Sequence, residues 1–230
     1  MERYNLQQRY LLAIDSIIFG FDGKELKLLL IQRGFKPEKG KWSLMGGFVE
    51  PLESLEMAAA RILKQLTGLN NVFMEQLSTF GNPNRDPVER TISVAYYSLI
   101  DIHLYEKQLS DDYHPEWFSL KKIPKLIFDH EQMVNIAKGH LRDKTTFQPV
   151  LFELLPEKFT LPALQNLYES VYEKEFDKRN FSRKILSSGL LVKLKGKEKK
   201  GSKKGAFYYK FDKRKYRKQL SVFSQFYNQG

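Results

Sequence analysis

Hydrophobic and polar positions give this chain two textures. Over the first 145 residues, short runs rich in Ile, Leu, Val and Phe alternate with polar clusters; further on, apolar residues recur at helical spacing. Residues 10–19 and 25–33 predict two strands of a hairpin around the turn cluster Gly20-Phe21-Asp22-Gly23. A polar loop over 34–41 leads through Trp42-Ser43-Leu44-Met45 to a helix over 54–67, with Gly68 as its stop signal. Residues 72–80 and 91–103 predict further strands around a Gly/Pro/Asn/Asp loop at 81–87, and 130–141 an amphipathic helix. Strands interrupted by one or two helices predict a mixed α/β domain.

The last third follows another plan. Thr160 can cap a helix running to about Lys174, with Pro162 tolerated in its first turn. Its apolar stripe is Leu161, Leu164, Leu167, Tyr168, Val171 and Tyr172. Asp177 can cap a second helix over 178–187, with Phe181, Ile185 and Leu186 inward and Gly189 closing it. Residues 190–195 and 206–211 read as strands joined by GKEKKGSKKG, and 213–227 as a last helix. Helix, turn, helix, then hairpin is the winged helix-turn-helix plan.

Charge sharpens the division. Residues 1–150 carry 19 Lys+Arg and 19 Asp+Glu, whereas residues 151–230 carry 19 and 8, so the net +11 lies wholly in the last third. A neutral module joined to a basic one points to a polyanionic partner, and helix-turn-helix patterning makes that double-stranded DNA rather than a membrane. No run reaches the roughly 18–20 apolar residues of a membrane span, and the N-terminus lacks signal-peptide order. With no cysteine there is no disulfide framework and no thiolate zinc site, and a cytoplasmic home is expected.

Residues 47–69 read GFVEPLESLEMAAARILKQLTGL. This resembles the Nudix box. Gly47, Glu53, Arg61, Leu63, Gly68 and Leu69 fall on its pattern, but its three carboxylate positions hold Ile62, Gln65 and Leu66. Those positions share one helical face. In the family that face holds a divalent metal against a diphosphate, which requires hard oxygen ligands. The resemblance implies no metal, no cofactor and no catalytic residue here, and gives Glu53 and Arg61 a bracing role. Leu55, Ala58, Ala59, Ile62, Leu63 and Leu66 make the helix apolar nearly all round, so the former metal face is expected to line a dry pocket or a protein contact. Rescue by Asp86, Glu89 or Asp129 from elsewhere stays open.

The segments Arg85-Asp86-Pro87, Arg90, Ser93-Val94-Ala95-Tyr96, Trp117-Phe118 and Phe128-Asp129-His130 are similar to those flanking the cleft in Nudix proteins acting on ADP-ribose and in regulators derived from them. The ligand-binding set implied is Arg33, Lys41, Trp42, Gly47, Asp86, Arg90, Tyr96, Asp129 and His130. Asp129 can equally be a helix cap, and Arg33 and Arg90 ordinary surface residues. Without metal, a neutral pentose such as L-arabinose, bound against Trp42 or Tyr96, is the first expectation for the effector; ADP-ribose or a related NAD metabolite is the next.

In the second module Lys178, Arg179, Asn180, Ser182, Arg183 and Lys184 would lie off the core stripe, able to read bases and phosphates. The hairpin adds Lys195, Lys197, Lys199, Lys200, Lys203 and Lys204 for phosphates. This segment strongly resembles the winged helix of Nudix-related transcriptional regulators. The expected fold is α+β: a Nudix-like α/β/α sandwich, 1–145, followed by a winged helix-turn-helix domain, 146–230. The expected function is a ligand-responsive, homodimeric DNA-binding regulator. Its rivals are a Mg-dependent hydrolase of ADP-ribose or a nucleotide sugar with a basic appendage, and an RNA binder.

Overall fold

A computed structural model describes residues 7–105, 113–199 and 205–224. The first module runs β1 (Leu11–Phe21), β2 (Leu26–Gln32), β3 (Trp42–Ser43), β4 (Met45–Phe48), α1 (Leu55–Thr67), β5 (Phe73–Phe80), β6 (Thr91–Asp101), α2 (Ile102–Tyr105), β7 (Glu116–Ser119) and α3 (His130–Phe147). Among the described residues its strands form one sheet in the order β3-β2-β1-β6-β5, with β4 also on β1 and β7 on β2.

β1 is buried from Ala13 to Phe21, so both its faces need cover. Alternation supplies it. Ile14 and Ile18 meet the Ala58, Ala59, Ile62 and Leu63 face of α1, while Ile17, Phe19 and Phe21 join Met133, Val134, Ala137 and Leu141 of α3. A helix thus lies on each face of the sheet, the α/β/α layering expected. One edge of β1 pairs with β6 in parallel along its whole length. The other edge is shared: Ile18–Phe21 pair with β2, and Ala13–Ser16 pair with β4. The sheet forks there, and the fork opens the cleft described below.

The box helix is bounded as its sequence predicts. Ser54 Oγ accepts the Met57 amide at its start, and Gly68 closes it at φ 79 with its amide bonded to Lys64. Gly20 differs from expectation. It lies inside β1, and the Trp117 indole occupies the space beside it, so that a Cβ at this position would stand 2.5 Å from the ring. The turn begins at Asp22, whose carboxylate accepts the amides of Lys24 and Glu25. β6 ends at Asp101 rather than running to His103, since the Asp101 carboxylate takes the His103 amide and starts α2. α3 continues past Leu141 to Phe147.

A 3-10 helix, Val150–Leu154, then leads to β8 (Phe159–Thr160), α4 (Leu161–Tyr172), α5 (Lys178–Ser187), β9 (Leu191–Glu198), β10 (Ala206–Phe211) and α6 (Lys213–Ser224). Thr160 and Asp177 cap α4 and α5 as predicted. α4 stops at Tyr172, short of Lys174, because Glu173 turns left-handed at φ 52. β8, β10 and β9 form a second sheet, the wing. Leu164, Leu167 and Val171 of α4 belong to the same buried cluster as Met133 and Leu141 of α3. Leu186 is a correction: it is 41 % exposed, since Phe181 and Ile185 turn towards α4 and the next residue lies about 100° further round the helix.

Candidate functional site

The cleft opens where β2 and β4 part from each other along β1. Asp15 of β1, Arg33 beyond β2, Leu44, Gly46 and Gly47 line it, with Arg85, Asp86, Phe128 and His130 from the far loops. It holds about 160 Å³. A buried polar network forms its inner wall. Arg85 donates to both oxygens of Asp129, at 2.9 and 2.8 Å, and to Asp15 at 3.2 Å; Ser93 donates to Asp15 at 2.6 Å. Burial works against the Arg85 charge, but Asp129 and Asp15 outweigh it and raise its pKa. Removing one partner of such a buried pair typically costs ~3–5 kcal/mol, because the other charge is left uncompensated.

His130 completes the wall. Its Nδ1 accepts the Leu44 amide at 3.1 Å, so the ring proton sits on Nε2, which faces Asp15 Oδ1 at 3.5 Å. Burial holds the imidazole neutral by lowering its pKa, despite the pull of Asp15 and Asp129. Gly46 follows from the same crowding, since a Cβ there would stand 2.5 Å from Asp15.

The box frame is intact. Arg61 grips both oxygens of Glu53, at 2.9 and 2.5 Å, and donates to the Phe48 carbonyl, while Glu53 accepts the Glu50 amide. These bonds from Arg61 and Glu50 bring the Glu53 pKa down to about 2. The former metal face is different in kind. Ile62 is buried against Ile14, Val94 and Tyr96; Leu66 is half-buried and lines the cleft; Gln65 is exposed. The divalent metal that a Nudix box of full pattern holds does not fit these donors, two aliphatics and a neutral amide. Among the described residues no group of three His, Cys, Asp or Glu is placed to hold a metal ion. Glu56 is engaged by Ser54, Asp129 by Arg85, and Asp86 by the Val88 amide.

Of the ligand-binding set, Arg33, Gly47, Asp86 and His130 line the cleft, and Asp129 stands behind Arg85. Four others do not. Lys41 is exposed and paired with Glu38; Trp42 packs edge-on against Phe118, 4.7 Å away, on the far side of β2. Tyr96 is buried under α1 with Ile62, and Arg90 lies over Tyr10 and bonds the Asn82 carbonyl. The aromatic faces expected to hold a sugar are therefore not in the cleft. Asp15, Ser93, Arg85 and Phe128 lie outside the expected set. A carboxylate in the middle of the apolar β1 run is a readable signal for Asp15; the fork that uses it is not.

The second module presents a basic surface. Lys178, Arg179, Asn180, Arg183 and Lys184 are exposed on α5, and Ser182 is half-buried. Arg183 donates to Asn180 at 2.9 Å. β9 runs past the expected end at Lys195 to Glu198, so Lys197 is also a strand residue, followed by exposed Lys199. Lys193 and Lys197 sit over the Phe207 ring, at 3.7 and 4.3 Å, which orients two cations on the wing. Lys200, Lys203 and Lys204 lie outside the described residues. No helix among the described residues is long and apolar enough to cross a membrane.

Comparison with known proteins accords with both halves. The NUDIX domain model matches residues 9–138, and the NrtR DNA-binding winged helix domain model matches residues 151–211. The chain is similar to the ADPR responsive transcriptional repressor NtrR of Acinetobacter baylyi, 36 % identical over 205 residues, covering 87 % of this chain and 82 % of that protein. Shewanella oneidensis NrtR complexed with a 27mer DNA is 31 % identical with a TM-score of 0.75, covering 87 % of this chain and 93 % of that one. The NUDIX domain of the same Shewanella protein, complexed with ADP ribose, is 32 % identical with a TM-score of 0.52, over 61 % of this chain and 94 % of that one. A forked sheet carrying the Nudix box, continued into a basic winged helix, places this chain in the family of Nudix-related transcriptional regulators.

Proposed function

We propose that this protein is an ADP-ribose-responsive transcriptional repressor that binds its effector in the NUDIX cleft without hydrolysing it. Residues 1–145 sense and residues 146–230 bind DNA, as a cytoplasmic homodimer on a palindromic operator. The observation that carries the reading is the pairing of two features in one chain. A cleft with its Glu53–Arg61 frame kept but aliphatic side chains at two metal positions is joined to a helix whose exposed face is basic. ADP-ribose, the effector that the relatives' names carry, is supported over L-arabinose, which finds no support among them. Trp42 and Tyr96, the aromatic faces a pentose would need, also point away from the cleft.

DNA binding would run through α5 in the major groove, with Arg183 and Asn180 at base edges and Lys178, Arg179 and Lys184 on phosphates. Ser182, Lys195, Lys197 and Lys199 would add backbone contacts, as would Lys200, Lys203 and Lys204. Selection of bound duplexes from a randomised library, followed by titration of the recovered complex with ADP-ribose, NAD and L-arabinose, tests the reading. ADP-ribose alone should shift the equilibrium. Turnover of ADP-ribose in Mg²⁺ or Mn²⁺ would show a hydrolase instead, and failure to enrich any duplex would remove the DNA-binding role.

A further inference from the structure

We propose that the effector's diphosphate is held without a divalent cation, its charge met by the Arg33 guanidinium. The proposal rests on reading the cleft as an ADP-ribose site. A diphosphate entering a protein must have its negative charge compensated, and in a Nudix box of full pattern the carboxylate-bound metal does this. Here Ile62 is buried in an apolar cluster, Leu66 is part of the cleft wall and Gln65 offers only an amide. Hard cations bind oxygen anions, and this face supplies none. Compensation has to come from another group.

Two arginines line the cleft, and they are not equivalent. Arg85 is already taken: its Nε and one terminal nitrogen donate to Asp129 and Asp15. Arg33 is held differently. Its guanidinium lies 4.1 Å from the Phe35 ring centre and 5.3 Å from that of Phe128. Its Nε is buried and has no hydrogen-bond partner among the described residues. An N–H removed from water with no acceptor is unfavourable, so an arriving phosphate oxygen gains what the protein leaves unmet. Guanidinium matches phosphate in a forked, two-bond geometry, which a metal-free site requires more than a point charge.

The flanking rings fix where that fork points. Phe128 is held at φ 49, a left-handed conformation that few non-glycine residues adopt, in the turn just before His130. Its backbone therefore sets the ring against Arg33 on one side and the buried His130 on the other. Phe35 is exposed and lines the cleft beside Arg33, so its ring covers one face of the guanidinium.

Isothermal titration of the full-length protein with ADP-ribose, in EDTA and again in excess Mg²⁺, tests the assignment. The dissociation constant should be the same in both buffers. Arg33→Gln should weaken binding about tenfold or more, the order of one charge-assisted contact, and Arg33→Lys should recover part of it. Binding of adenosine, which has no diphosphate, should not respond to Arg33→Gln, and the surface control Lys121→Gln should match the wild type. Far-UV circular dichroism confirms that each variant is folded. Binding that requires Mg²⁺, or Arg33→Gln affinity equal to wild type, overturns the proposal while ADP-ribose remains the ligand. No binding of ADP-ribose to the wild type in either buffer overturns the ADP-ribose reading itself.

Discussion

Glu173, at the end of α4, is ion-paired with Lys138 of α3, and its second oxygen lies 3.7 Å from Arg142 on the same helix. Arg142 also donates to the Val171 carbonyl at 3.3 Å, and the Thr145 and Tyr172 hydroxyls are 2.8 Å apart. The first residue of α3 is His130, which lines the cleft. One helix therefore touches the cleft at its start and the helix-turn-helix turn towards its end.

This contact predicts a separation of function in Glu173→Gln. A part-exposed pair is worth ~0–1 kcal/mol, so stability and effector-free DNA affinity should change little. The ratio of DNA affinities with and without ADP-ribose should fall, as the contact contributes to a coupling of ~1–3 kcal/mol. An unchanged ratio in paired binding titrations would remove α3 as the connection.

The buried His130 predicts a pH effect on stability. Its folded pKa is below the ordinary 6.5, so the unfolded chain takes up the proton first. Its contribution is present above pH 6.5 and is lost as pH falls from there through the lowered value. Within that window stability should fall as pH falls, with a slope bounded by the one-proton limit of ~1.4 kcal/mol per pH unit. Denaturant unfolding of wild type and His130→Gln should show that slope only in the wild type.

Glu53 titrates at about 2 because Arg61 donates to it. Its stabilising effect is present above the ordinary carboxylate range near 4.5 and is lost as pH falls through 2. A carboxyl NMR titration of wild type and Arg61→Gln should show the Glu53 midpoint rising towards 4.5 in the variant. An unmoved midpoint would mean that Arg61 is not what holds it down.

Two of the three vacated metal positions should answer substitution differently. Ile62→Ala leaves a cavity in the cluster beneath α1 and should cost about 2–5 kcal/mol, with Ile62→Glu worse because its carboxylate would be buried unpaired. Gln65→Glu, on the exposed side, should stay within about 0.5 kcal/mol. Chemical denaturation of the three variants measures this order.

On DNA, Arg183→Ala should cost about 1–3 kcal/mol and relax preference at one base position. Lys195→Ala should weaken all sequences alike and lower the slope of log affinity against log salt by about one. Equal loss of sequence preference in both would deny α5 its reading role.

The parts that local patterning controls are legible in the chain. Ser54 and Gly68 bound α1, and Thr160 and Asp177 cap α4 and α5, because capping depends on neighbours within a few residues. The basic balance of the last third marks a surface for a polyanion, since charge needs no fold to be counted. Gly20 resembles a turn residue for the opposite reason: the neighbour that requires a glycine there is Trp117, nearly a hundred positions away. Trp42 and Tyr96 have the right chemistry for a sugar, but strand alternation turns Trp42 to Phe118 and Tyr96 into the core.

Box spacing, caps and charge are one-dimensional properties, so the order of residues alone establishes a Nudix scaffold without its metal carboxylates joined to a basic winged helix. Which residues make the cleft depends on the folded arrangement. β1 exchanges β2 for β4 along one edge, and that fork brings Asp15, Arg33, Arg85 and His130 together from four separate stretches of chain. The same packing leaves Arg85 bound up by carboxylates, while the Arg33 Nε keeps a donor unmet among the described residues. Hydrogen-bond partners of this kind are set by long-range contacts, which no local pattern encodes.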